Sequence, residues 1–181
     1  MGKTQGLALG VVTGLIIGFI LVVVFLKFAN KDNKAKTEYD ERQKVIRGKG
    51  YMAGFYTFVV LLAIETIWSI AGYEFPLPDY LVYFSSIIIG ITVMCAYDIW
   101  NGVYWGMNND RKKYAIIIII GLILNIFPIA SALVSGQLLS KDPAEALPWM
   151  NVIVIAMFII IGIVALIRKL VDMATAAGEE D

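Results

Sequence analysis

The feature that most constrains this chain is the recurrence of long apolar runs. Five of them, at about 7–26, 51–71, 80–100, 115–134 and 151–170, are long enough to cross a hydrocarbon core of ~30 Å at ~1.5 Å of rise per residue. In hydrocarbon each backbone amide must be satisfied inside its own segment, so runs of this kind are read as helices. Of the 181 residues, 59% are hydrophobic and 17% charged, and the runs leave no stretch with the balance of a soluble domain. The expected fold class is an all-α integral membrane protein: a bundle of five transmembrane helices forming one membrane domain over 1–181, with the lipid bilayer as its first partner.

Charge gives the threading. Eight of the fifteen Lys and Arg residues fall in the connection 27–50, from Lys27 to Lys49. Arg111, Lys112 and Lys113 follow the third run, and Arg168 and Lys169 close the fifth, against Lys3 and Lys141 alone on the other side. Basic residues gather on the cytoplasmic side of membrane spans, so the N-terminus is expected outside and the C-terminus in the cytoplasm. Trp68, Tyr73, Phe75, Tyr80 and Trp149 then fall at the outer interface, and Tyr51, Trp100, Tyr104, Trp105 and Tyr114 at the inner one, as aromatic belts do. Basic residues beside spans are explained by this asymmetry, and no nucleic-acid partner is expected.

The first run carries glycine at every fourth position, Gly6, Gly10, Gly14 and Gly18, although each costs a helix interior about 0.5–1 kcal/mol relative to alanine. Such a stripe lets two helix backbones approach closely, which matters where no hydrophobic effect drives helices together. It is read as a helix-packing face, either against the chain's own bundle or against a second copy or a protein partner. The run is longer than a signal-peptide core and is followed by no small-x-small site, so it is expected to stay attached.

The chain has one cysteine, Cys95, and no histidine. That excludes an intrachain disulfide, histidine triads and histidine metal sites. No Walker loop, GxSxG or paired-cysteine motif occurs. No catalytic residue, metal site or cofactor is expected, and the chain is read as not an enzyme.

In the cytoplasmic connection, Thr37 followed by Glu38, Asp40 and Glu41 reads as a capped helix start. Glu38 with Arg42, and Asp40 with Lys44, are spaced as i,i+4 pairs. A short charged helix is expected to lead through Gly48 and Gly50 into the second span, lying near anionic headgroups or docking a partner protein. The segment "YDERQKVIRGKGYMAGFYTF", Tyr39 to Phe58, resembles one found in small uncharacterised multi-pass membrane proteins of Gram-positive bacteria, centred on an Asp-Glu-Arg-Gln motif before a membrane span. Here the motif is Asp40, Glu41, Arg42 and Gln43. The resemblance implies a bacterial plasma membrane and no particular reaction.

Two acidic residues are out of place in the apolar runs. Glu65 lies ~21 Å along the second span from Tyr51, and a charge near a helix centre costs roughly 2.5–3.5 kcal/mol on insertion scales. It needs a partner or a proton. Ser85, Ser86 and Asn125 fall at comparable depth, so the four are expected to form an intramembrane polar cluster, with Thr57 and Ser69 extending the face of Glu65. Pro128 removes an amide one turn after Leu124 and is expected to kink the fourth span. Asp98 lies near the inner interface, where Arg111, Lys112 or Arg47 would neutralise it as an anchor, and Asn101, Asn108 and Asn109 mark the interfacial end of the third helix.

The expected function is that of a noncatalytic plasma-membrane protein acting through helix–helix and cytoplasmic-loop interactions, of the class of accessory subunits of export or stress-response systems. The alternative is a small proton- or cation-coupled transporter or channel using Glu65.

Overall fold

A computed structural model describes residues 3–75, 77–136 and 146–178. Five helices follow in order: α1 (Lys3–Ala29), α2 (Glu41–Ile70), α3 (Asp79–Trp100), α4 (Arg111–Val134) and α5 (Pro148–Gly178). All five are long and apolar enough to cross a membrane. Among the described residues there is no strand, only an isolated antiparallel bridge between Asn30 and Asn109.

Burial is inverted relative to a water-soluble domain. The buried apolar residues are small or few, such as Ala29, Leu81, Val103 and Ala132, while Asn30, Glu65, Ser86, Asp98, Asn108 and Asn109 are all buried. Large side chains such as Leu15, Phe19, Ile70 and Phe127 stand exposed. A surface of this kind suits an apolar solvent, where polar groups rather than methyl groups need enclosing.

The chain divides into two compact units, Met1–Asp40 with Trp105–Ile119, and Glu41–Tyr104 with Ile120–Asp181. In the first unit the end of α1 is tied to the segment before α4 by three asparagines. Asn109 Nδ2 donates to Asn30 Oδ1 at 2.7 Å, and Asn30 Nδ2 donates to the Lys34 carbonyl at 2.7 Å. Asn108 accepts from the Glu38 amide at 2.8 Å and donates to the Lys36 carbonyl at 3.0 Å and to the Asp32 carboxylate at 3.2 Å. Backbone bonds from Lys31 to Asn108, Met107 to Glu38 and Asp110 to Ala29 complete the knot. Gly106 is required there, because Thr37 and the Glu38 carbonyl leave no room for a Cβ. Burial pushes the Asp32 carboxyl up, but the Lys34 amide, the Asn108 side chain and the Lys34 charge outweigh it and hold it below its ordinary value.

This corrects the reading of the 27–50 connection. No separate short helix starts at Thr37: α2 begins at Glu41 and runs unbroken for 30 residues through Gly48 and Gly50 into the apolar run. Glu41 stands in its first turn with Lys44 at 2.6 Å, and Glu38 turns back to Lys34 at 3.8 Å. Residues 30–38 are held by the chain's own asparagines. Asn108 and Asn109 therefore tie this knot; they do not end α3, which stops at Trp100. α4 continues through Pro128 as one helix.

In the second unit α3 is central, packing on α2 along one side and on α5 along the other. Arg168 of α5 lies over the Trp100 ring of α3, 5.9 Å from its centroid. α2 and α3 both end in Schellman motifs. Gly72, with φ +77°, donates to Ser69 while Tyr73 donates to Trp68; Gly102, with φ +69°, donates to Ile99 while Val103 donates to Asp98. These two turns shape the two ends of the α2–α3 hairpin.

Candidate functional site

The α2–α3 seam is tightest where two glycines face each other. A Cβ on Gly54 would lie 2.7 Å from the Gly90 carbonyl oxygen, and one on Gly90 would lie 2.9 Å from that of Gly54. Backbone meets backbone, with dispersion and Cα–H···O contacts replacing side-chain packing. On either side of this contact lies one buried carboxylate.

Toward the start of α2, Asp98 Oδ2 pairs with Arg47 Nη1 at 2.8 Å; the Asp98 side chain is 2% exposed and that of Arg47 14%. Arg47 also reaches the Val103 carbonyl at 3.4 Å and the Tyr51 hydroxyl at 3.2 Å, with its guanidinium 5.6 Å from the Tyr51 ring centre. The Gly102 turn presents that carbonyl. Asp98 Oδ1 has no hydrogen-bond partner among the described residues and rests over Gly50, where a Cβ would come within 2.5 Å of it. Of the three cations that the sequence offers Asp98, Arg47 is the one in place, and the anchor role has a geometry. The partner lies four residues beyond the motif Asp40, Glu41, Arg42 and Gln43, of which the first three are exposed.

Toward the α2–α3 turn, the other carboxylate has no cation among the described residues. Ser86 Oγ donates to Glu65 Oε1, and Glu65 Oε2 is buried without a partner among the described residues. Glu65 lies on the wall of a polar recess of about 380 Å³ that Ser69, Tyr73, Glu74, Phe75, Asp79 and Tyr83 also line. The Gly72 turn folds Tyr73 and Phe75 back onto Trp68, with ring centres 5.1 and 5.8 Å apart from it. On the flank of the seam, around the two glycines, runs an apolar groove of about 250 Å³ lined by Tyr51, Phe55, Phe58 and Met94.

The expected cluster of four is thus a pair. Ser85 donates to the Leu81 carbonyl of its own helix and Asn125 to that of Gly121. Equal depth does not give equal rotation: adjacent residues on a helix differ by ~100°, so Ser86 and Ser85 cannot both face α2. Thr57 likewise bonds back to Ala53, whereas Ser69 does join Glu65, at the recess.

The glycine stripe of α1 is open among the described residues. A Cβ at Gly10, Gly14 or Gly18 would meet nothing within 4 Å; the surroundings of Gly6 lie outside the described residues. The close-approach glycines of the α2–α3 seam are Gly50 and Gly54, four residues apart on α2, and Gly90 on α3. The sequence signal for them is the i,i+4 spacing of Gly50 and Gly54 at the start of the second apolar run. No family model, no curated protein and no solved structure matches this chain.

Proposed function

We propose that this chain is a noncatalytic multi-pass protein of the bacterial plasma membrane that works by docking its first helix on another protein chain, a second copy or a partner. The observation that carries the reading is the open glycine face of α1: Gly10, Gly14 and Gly18 cost the helix stability, and a Cβ at each would meet nothing within 4 Å among the described residues. Membrane residence rests on five helices of spanning length and on the inverted burial. An N-terminus outside and a C-terminus in the cytoplasm rest on the distribution of Lys and Arg. The bacterial setting rests on the resemblance of Tyr39–Phe58. The class of role is an accessory component, such as one serving export or stress response.

The test is the size of the particle extracted from native membranes in mild detergent. Wild type is expected in a complex that Gly14→Leu dissolves, while Leu15→Phe, on another face, leaves it intact. A monomeric wild type with no stoichiometric companion ends the proposal. Orientation is checked in a Cys95→Ser background: a cysteine at Leu77 should be labelled from outside and one at Lys34 should not.

A second reading, transport of a proton or cation through Glu65, is favoured by the unpartnered Oε2 beside a polar recess. Against it, the α2–α3 seam is shut by backbone contact at Gly54 and Gly90, which makes the recess a blind site on this seam rather than one end of a path. A gradient-driven flux in proteoliposomes that Glu65→Gln abolishes would establish transport.

A further inference from the structure

The recess at the α2–α3 turn has a composition that the docking of α1 does not use. Its lining includes three carboxylates, Glu65, Glu74 and Asp79, and three aromatic rings, Tyr73, Phe75 and Tyr83, with no Lys or Arg among the described residues. An acidic rim alone would indicate little beyond a solvated surface. Glu65 is different: it is 9% exposed, one oxygen accepts from Ser86, and the other is buried with no partner among the described residues. A buried acceptor left unmatched is costly, and here it belongs to a residue on the wall of a recess large enough to admit what would match it.

Size and lining choose among cations. The recess holds about 380 Å³, against the ~30 Å³ that one water occupies in the liquid. Among the described residues no three acidic or cysteine side chains converge as metal ligands, so the carboxylates are spread around the space rather than gathered about a point. Rings between spread carboxylates suit a cation that carries carbon: the charge meets the carboxylates and the ring faces, and the alkyl groups meet the rings. We propose that this recess binds an organic ammonium group, with Glu65 as its counter-charge and Tyr73, Phe75 and Tyr83 around its substituents. The same chemistry is offered by a free amine and by the headgroup of an ethanolamine or choline lipid. The site stands whether or not α1 docks on a partner.

The experiment is calorimetric titration of tetramethylammonium chloride into the full-length protein in nanodiscs of phosphatidylglycerol, with sodium chloride at matched ionic strength as the reference. Saturable binding is expected, with Kd on the order of 1 mM or tighter. Glu65→Gln, which keeps an acceptor for Ser86, should weaken it at least ~10-fold by removing the charge. Tyr83→Leu, at an exposed ring that the fold does not depend on, should weaken it roughly 2- to 5-fold. Repeating the titration in discs that contain phosphatidylethanolamine separates the sources. A lowered apparent affinity assigns the lipid headgroup, and an unchanged one assigns a free amine. Absence of saturable binding overturns the proposal. So does a Glu65→Gln protein that binds as wild type does, or displacement of the probe by an equal concentration of potassium.

Discussion

The two ends of the α2–α3 hairpin bury one carboxylate each; each leaves one oxygen without a partner among the described residues and holds the other by different means. Asp98 has a guanidinium at 2.8 Å that is itself steered by a carbonyl and a tyrosine. Glu65 has a serine hydroxyl and a recess. The first arrangement is closed: charge meets charge, and the packing of Gly50 against Asp98 leaves no room for anything else. The second has no counter-charge among the described residues. A buried acid by itself therefore says little; what decides between an anchor and a site is whether the fold supplies the counter-charge.

Breaking the closed end should have the largest effect. Arg47→Met strands a buried carboxylate and should cost about 3–5 kcal/mol in detergent-solubilised unfolding. Arg47→Met combined with Asp98→Leu should recover most of that loss, because removing both charges leaves nothing to compensate. A single-variant loss below ~1 kcal/mol would mean that water reaches Asp98 and that the ends are alike. Next, Gly90→Ala forces a methyl group against the Gly54 carbonyl and should cost about 1–3 kcal/mol. At the incomplete end, Glu65→Gln and Ser86→Ala should each shift unfolding by about 1 kcal/mol or less, since interhelical bonds of this type average ~0.6 kcal/mol. A loss as large as that of Arg47→Met would make Glu65 a structural anchor and erase the contrast.

A third carboxylate, Asp32, extends the comparison into water. Its folded value is held below the ordinary 3.8, so the stability it contributes is present above that value and is lost as pH falls through the folded value. Asp32→Asn should flatten the acid limb of amide-exchange protection at Lys34 and Glu38 and leave protection at neutral pH nearly unchanged. This is the smallest of the expected effects. An acid limb that survives in Asp32→Asn would show that another group loosens the knot.

The five spans and the two misplaced carboxylates could be read from residue types, because length, hydropathy and a misplaced charge are local properties. Depth along neighbouring helices follows from the sequence, and it puts Ser86 among three candidates for Glu65 and Arg47 among three for Asp98. Rotation about the helix axis does not, and so Ser85 and Asn125 were grouped with Glu65 although both bond to their own helices. The knot of Asn30, Asn108 and Asn109 was out of reach for another reason. Its partners include loop carbonyls at Lys34 and Lys36, and every residue has a carbonyl, so no residue type announces them. The glycine stripe of α1 was legible as a capacity for close approach, but spacing carries no information about what approaches.

Gly54 and Gly90 also restrict how this hairpin can change over generations. When two side chains collide in a protein core, enlarging one can be balanced by trimming the other. Here a Cβ at either position would strike the opposite main chain, which no substitution can trim. Each glycine is thus locked independently, and a second mutation at its partner offers no rescue. Drift along this seam must go around the pair, through Phe58 and Met94, whose side chains touch it and are free to change size.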